Sequence, residues 1–296
     1  MNQKNLVRNT LMEIGAIHEK DVELFAGKTR DRDALPVYID RVTGVIFIDD
    51  FYVGEHEYAS GHYRRKNRNL FNSASGDLED ILDSERRYSR YRRFAIGKKI
   101  VDFGCGRGGF LRLVYADAAT VVGVELQQDF AKALSEIGIS CVDHLDNVLD
   151  GQDTFFMFHS LEHLPDPLQV LSKMHDKLKS NGNGKIIIEV PHAKDILIKT
   201  LKVQSFIDFT LWSQHLVLHT RDSLTRLLKR AGFNNILIEG VQRYGLTNHL
   251  QWLRFGQPGG HKELFSAFET DNLTVAYGEA LARIDATDTL VAVAET

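Results

Sequence analysis

Cysteine is nearly absent from this chain, with Cys105 and Cys141 the only two among 296 residues. That scarcity excludes a disulfide framework and a four-cysteine zinc site, and reduced thiols are the simplest reading. Long apolar runs are missing too, so no segment is expected to span a bilayer, and the polar stretch Met1 to Arg8 gives no sign of a cleavable leader. The expected location is cytoplasmic. Neither sign of charge dominates: 36 Lys and Arg stand against 40 Asp and Glu, a formal net charge of −4. With a pI near 6.3, a general nucleic-acid binder is not expected. Composition sets no oligomeric state.

What is present is an ordinary globular mixture, 43% apolar and 26% charged, long enough for one large α/β domain with additions. Its most informative stretch is Val101-Asp102-Phe103-Gly104-Cys105-Gly106-Arg107-Gly108-Gly109-Phe110, an apolar strand running into a glycine-rich turn that opens a helix. Glycines let a backbone turn sharply and approach a ligand at a helix N-terminus, where free N–H groups and the helix dipole favour negative groups. Gly104, Gly106 and Gly109 satisfy the dinucleotide spacing G-x-G-x-x-G. Asp102 points elsewhere, because a carboxylate beneath that turn would repel a pyrophosphate by roughly 1–4 kcal/mol at ~4 Å. The methionyl end of S-adenosylmethionine carries an ammonium beside a sulfonium and is attracted to an acid there. The order D-x-G-x-G therefore favours adenosylmethionine over a nicotinamide cofactor. Thr120 to Glu125 adds a short β-branched strand ending in an acid about 20 residues on, where a carboxylate meets ribose hydroxyls.

From Lys98 onward, strands and helices alternate at the spacing of a doubly wound parallel sheet. Strands are expected at Lys99 to Phe103, Thr120 to Glu125, Ile139 to Val142, Thr154 to Phe158, Lys185 to Val190, Asn235 to Glu239 and Thr289 to Val293. Asp143 lies at a strand's C-terminal end, within reach of an adenine amino group, with Asp146 and a turn-capping role as alternatives. Before the core, Leu35 to Tyr63 reads as short strands around a turn at Thr43-Gly44. The segment from Tyr63 to Arg93 is basic, with a helix expected over Asp77 to Phe94; a solvated face is the first reading and an anion site the second. The assigned regions are an N-terminal lobe (1–75), a core (76–240), a lid insertion (241–287) and a last core strand (288–296).

D-x-G-x-G, an acid ending the second strand and Phe158-His159-Ser160-Leu161-Glu162-His163-Leu164-Pro165-Asp166-Pro167 together resemble the class I S-adenosylmethionine-dependent methyltransferases. The resemblance implies a Rossmann-like sheet of seven strands with an antiparallel last strand. It places Asp102, Gly104, Gly106 and Glu125 along the cofactor and His159 and Ser160 beside its methionyl end. The flanks resemble a bacterial subgroup of sugar and surface-polysaccharide methyltransferases, through the β-rich lobe, the Ile-Ile-Ile-Glu-Val-Pro strand and Trp212-Ser213-Gln214-His215-Leu216. In sugar C-methyltransferases an N-terminal cysteine zinc site and a Glu-His pair are expected. Here the cysteines are absent and Gln214 precedes His215, so no metal is expected.

Methyl transfer needs in-line approach, exclusion of water and often a base. Histidine suits that role near neutral pH, and position in the family makes His215 the first candidate, His219 the second and Tyr63 a helper. Arg243, Asn248, His249, Trp252 and His261 are substrate-side candidates because the lid mixes aromatic platforms with polar donors. The implied reaction is methylation of a small molecule, a sugar or glycan precursor such as a nucleotide-linked sugar, with no nucleic-acid or membrane partner. A nicotinamide-dependent sugar oxidoreductase and a non-catalytic adenosylmethionine-binding protein are the alternatives.

Overall fold

The chain forms two sheets, a four-stranded one of short strands and a seven-stranded one whose central strands are almost wholly apolar. The computed structural model describes residues 4–61, 73–179, 183–260, 262 and 264–296. The expected basic turn Tyr63 to Arg68 therefore lies outside the described residues. After helix α1 (Val7–Glu13), strands β1 (Val22–Ala26), β2 (Val37–Asp40) and β3 (Ile46–Ile48) pair antiparallel into the N-terminal lobe. The turn at Thr43-Gly44 is where expected: Gly44 takes φ +80°, and Asp40 accepts the N–H groups of Val42 and Thr43. That turn sets Tyr38 opposite Phe47.

Helices α2 (Glu55–Ser60) and α3 (Ser73–Tyr91) lead into the core. There follow β4 (Lys99–Phe103), α4 (Gly109–Val114), β5 (Thr120–Val124), α5 (Gln128–Ser135), β6 (Ser140–Val142), β7 (Thr154–Phe158), α6 (Pro167–Lys179) and β8 (Lys185–Pro191). Next come α7 (Ile196–Lys199), α8 (Gln204–Thr210), β9 (Val217–Leu218), α9 (Arg221–Arg230) and β10 (Asn234–Val241). The chain closes with α10 (Leu246–Phe255), α11 (Asp271–Arg283) and β11 (Thr289–Glu295).

The core sheet has seven strands in the order β10-β11-β8-β7-β4-β5-β6. β11 runs antiparallel to both neighbours, and the remaining pairs from β8 to β6 are parallel. The expected Rossmann-like sheet with an inverted last strand is therefore present. Its central strands read Thr-Phe-Phe-Met-Phe and Ile-Ile-Ile-Glu-Val because both faces are covered. Phe155, Met157, Ile186 and Ile188 enter one apolar cluster, while Phe156, Phe158 and Ile187 enter the other. The chain reverses direction around β4, flanked by β5 and β7, and the crevice beyond the strand ends at such a point is where ligands bind in open α/β sheets.

Three features were not anticipated. β1 and β9 had no sequence signal, and β9 pairs with β3, so the lobe sheet takes its fourth strand from residues 217–218. The insertion between β10 and β11 contains two helices, α10 and α11, with Trp252 buried by Phe206 and Phe209 of α8. Arg86 and Arg87 of α3 do not lie on a solvated face, whereas Arg90 does. Arg86 makes two 2.8 Å bonds to Glu189, Arg87 Nε adds one at 3.0 Å, and the Tyr91 hydroxyl donates another at 2.8 Å. Arg90 pairs with Glu239 and Arg92 with Asp117. Among the described residues no helix is long and apolar enough to cross a membrane.

Glu189 is fully buried, and these partners hold its carboxyl well below the usual carboxylate range against the opposing effect of burial itself. Removing one side of such a cluster leaves buried charge without compensation. Glu189→Leu is expected to destabilise the protein by about 3–5 kcal/mol, read as a lower urea midpoint with an unchanged m-value.

Candidate active site

The β4–α4 turn brings its glycines into conformations that a side chain would resist. Gly104 has φ +75° and Gly106 has φ +56°. A Cβ at Gly104 would lie 2.3 Å from Ser160 Oγ, so the turn packs directly against the segment leaving β7. Glu125, just past β5, braces the same turn: one carboxylate oxygen accepts the Gly106 N–H at 2.8 Å and the other accepts the Gln127 N–H at 2.8 Å. Both oxygens retain a second acceptor site, and the side chain lines the cleft.

Asp102, Gly104, Gly106, Glu125, Asp143, His159 and Ser160 all line one cleft. It measures 2460 Å³, well beyond the roughly 300–1,000 Å³ of a single drug-sized ligand, so it has room for a cofactor and a second molecule. The seven residues expected around the cofactor are thus brought together. Asp143 is exposed and accepts a 2.7 Å bond from Asn147, whereas Asp146 is engaged by Lys173 at 2.8 Å. Asp102 is 3% exposed. Burial pushes its carboxyl up to about 7, opposed by Arg87 and reinforced by Glu125 and Glu189.

His159 sits at φ +51°, its backbone N–H donating to the Glu189 carbonyl at 2.9 Å. Its Nε2 faces Arg243 Nη1 at 3.1 Å and its Nδ1 lies 3.3 Å from Glu162 Oε1. Arg243 also pairs with Asp83 of α3. It lines the cleft, as a substrate-side candidate should, with its guanidinium engaged by those partners.

The far wall comes from the segment between α8 and α9. Backbone bonds hold it at both ends: Leu216 N–H to the Glu162 carbonyl at 2.8 Å, and Ala193 N–H to the His219 carbonyl at 2.9 Å. His215 lines the cleft beside His163 and Trp212, with ring centroids 5.1 and 5.2 Å apart. Burial pushes its imidazole down to about 3, His163 reinforcing and Glu162 opposing, so the ring is neutral at working pH.

Several expected residues stand elsewhere. His219 is 1% exposed, bonded to Ser223 Oγ at 3.0 Å, and does not line the cleft. His249 is likewise buried, bonded to the Tyr277 hydroxyl at 2.8 Å and off the cleft. The sequence gives no local sign of either burial, because only packing sets Ser223 of α9 and Tyr277 of α11 against the two rings. Asn248 and Trp252 do line the cleft, Asn248 accepting the Gly259 N–H at 3.0 Å. Tyr63 and His261 lie outside the described residues. Sequence reasoning missed Arg30, which enters the cleft from the lobe over the Trp212 ring at 4.5 Å. The stretch Thr29 to Arg32 carries no periodic signal that would have singled it out.

Comparison with known proteins settles the chemistry of the fold. Residues 79–238, more than half the chain, match the family described as a methyltransferase domain. The chain belongs to the methyltransferase family. A solved S-adenosylmethionine-dependent methyltransferase from Archaeoglobus fulgidus superposes with a TM-score of 0.53 at 19% identity, over 79% of this chain and 100% of that one. An uncharacterized protein of Haemophilus influenzae is 35% identical over 104 residues, 29% of this chain and 40% of its own length. A tRNA U34 carboxymethyltransferase of Ectopseudomonas mendocina is 26% identical over 181 residues, 54% of this chain and 52% of its own length. The chain thus spans about half the length of the curated relatives it matches. S-adenosylmethionine is the methyltransferase cofactor, and the nicotinamide alternative is set aside.

Asp102 makes this methyltransferase site sensitive to pH even without ligand. An unfolded aspartate titrates near 3.9. Between about pH 4 and pH 7 the folded protein therefore keeps a proton that the unfolded chain has lost, and stability falls as pH rises through that window, by up to about 1.4 kcal/mol per pH unit. Above about 7 the loss is complete. Asp102→Asn is expected to remove this component, so that urea unfolding at about pH 5 and about pH 8 differs less in the variant than in the parent protein.

Proposed function

We propose that this chain transfers a methyl group from S-adenosylmethionine to a small oxygen-bearing acceptor, a sugar or glycan precursor carrying an anionic group such as a nucleotide-linked sugar. The observation that carries the reading is a single cleft with two chemically distinct ends. One end is the Asp102, Gly104, Gly106 and Glu125 turn; the other is an aromatic wall that includes Phe206, Phe209, Trp212 and Trp252 around His215 and Arg30.

The donor set at the first end fits the cofactor. Glycines with positive φ leave the backbone bare, and two carboxylates stand where an ammonium and a ribose diol need acceptors. When bound, S-adenosylmethionine supplies an electrophilic methyl on sulfonium. Asp102 would hold the ammonium, Glu125 the ribose hydroxyls, and Asp143 the adenine edge, with His159 and Ser160 forming the wall beside the methionyl end.

At the second end, flat apolar rings offer stacking area at little entropic cost. Arg30 supplies charge. Burial pushes its guanidinium down to about 10, Asp31 opposing, so it stays cationic at neutral pH, and its Nε has no hydrogen-bond partner. A phosphate or carboxylate on the acceptor would complete it. His215 presents a neutral ring whose Nδ1 also lacks a partner. An imidazole this weakly basic is a poor proton sink, so His215 acts by positioning the acceptor hydroxyl and not by taking up its proton. The net charge of −4 speaks against a nucleic-acid acceptor.

The direct test is mass spectrometry of nucleotide sugars and related anionic glycan precursors incubated with the protein and S-adenosylmethionine. The reading expects one added methyl group on an acceptor and adenosylhomocysteine in equal amount. His215→Ala is expected to lower kcat by about 100-fold, and His219→Ala, off the cleft, by less than about threefold. Cofactor binding with no acceptor methylated across the screen would favour a non-catalytic adenosylmethionine-binding protein.

A further inference from the structure

Glu162 poses a problem that the methyl-transfer machinery does not use. It follows β7 in a single 3-10 turn, is 0% exposed, and neither carboxylate oxygen has a hydrogen-bond partner. The only ion-pair partner it has among the described residues is His159, at 3.3 Å and out of hydrogen-bond alignment. A buried carboxylate without a donor or a cation is strongly disfavoured, and proteins resolve such groups by pairing them or by metal coordination.

The geometry points to a divalent metal ion held by Glu162, His163 and His215. One ligand atom from each of the three lies within 4.8 Å of the others. His163 Nδ1 is 2.8 Å from the Gln214 carbonyl, which requires a proton on that nitrogen and puts the lone pair on Nε2. A backbone carbonyl fixing one imidazole nitrogen is the usual outer partner of a metal-ligating histidine. His215 Nδ1 is buried with no hydrogen-bond partner. The 2.8 Å bond from Leu216 N–H to the Glu162 carbonyl ties the ligands' backbones together, so the set is organised by the fold.

Two imidazoles and one carboxylate suit zinc, manganese, iron or cobalt better than magnesium or calcium, which prefer all-oxygen shells. Three protein ligands leave positions open. All three residues line the cleft, so the open side meets the acceptor end, and a hydroxyl or other oxygen donor on the acceptor is the group it would take. That assignment of the open side rests on the methyl-transfer reading; the metal site itself does not. The lack of cysteines, which counted against a zinc site, bears only on a cysteine site.

A second cluster, His18, Asp21 and Asp40, also has three ligand atoms within 4.8 Å. It is accounted for without a cation, because Asp40 accepts three backbone N–H groups and Asp21 pairs with Arg41. It serves as the control.

The test loads chelator-stripped full-length protein with cobalt(II) and reads stoichiometry by elemental analysis after dialysis and the site by visible absorption. One cobalt per chain is expected, with binding weakened at least about 100-fold in Glu162→Gln and in His215→Ala and unchanged in His18→Ala. Adenosylhomocysteine binding, measured on every sample, should persist in all of them, which shows that the variants are folded and tests the cofactor end independently. X-ray absorption of the zinc-loaded parent protein should show imidazole and oxygen ligands, and it needs no variant. Absence of bound cobalt and zinc, sulfur in the zinc shell, or loss of binding in His18→Ala would each overturn the assignment.

Discussion

The buried carboxylate of Glu189 is the constraint on which the cleft depends. It sits near the C-terminal end of β8, in a strand otherwise apolar, and can be ionised there only because α3 brings Arg86, Arg87 and Tyr91 to it. The same interaction fixes α3 across the cleft, where Asp83 holds Arg243 and Arg243 faces His159. The carbonyl of Glu189 accepts the backbone N–H of His159 as well. One residue in the middle of the sheet thus positions the helix on one side of the cleft and the β7 rim on the other. Leucine at that position would pack, but it would release both arginines and the helix with them.

A second device positions the acceptor end. The segment from Trp212 to His219 is shared between the sheets, with Val217 and Leu218 completing the lobe sheet and Leu216 bonded to Glu162 on the core rim. The lobe is therefore built onto the core through the residues that carry His215. This arrangement brings the aromatic wall into the same cleft as the glycine turn. On the proposed reading the sheet carries the cofactor chemistry, and the lobe, the segment from Trp212 to His219 and α10 carry acceptor choice, in keeping with function grafted onto a common scaffold.

That the residues proposed for the cofactor end line one cleft was legible in the sequence, because their signal is local. Asp102, the glycines and Glu125 lie within one strand–turn–helix–strand unit, and positive φ at Gly104 and Gly106 leaves few other residues possible. The seven-stranded sheet with an antiparallel last strand was implied by the family resemblance, and the alternation of strands and helices agreed with it. What could not be read was set by partners distant in sequence. Arg86 and Arg87 looked like part of a solvated face because Glu189 is about a hundred residues away. β9 spans two residues, too short for a pattern, and its pairing with β3 is a tertiary event. His219 and His249 looked available because nothing local marks a histidine that will be buried against Ser223 or Tyr277. Glu162 and His163 stand in the motif after β7 with nothing local to mark a shared role, and only the fold brings His215 to them.

The central claim is that the Asp102–Glu125 end of this cleft is an S-adenosylmethionine site. Thermal unfolding of the purified protein with saturating adenosylhomocysteine, beside NADH and no ligand, tests it most directly. A ligand at ~100 times its dissociation constant adds about 2.7 kcal/mol, a rise of several degrees in Tm for a domain of this size. The account predicts that rise with adenosylhomocysteine and none with NADH. A rise with NADH alone would contradict both the role of Asp102 beneath the glycine turn and the methyl-transfer reading built on it.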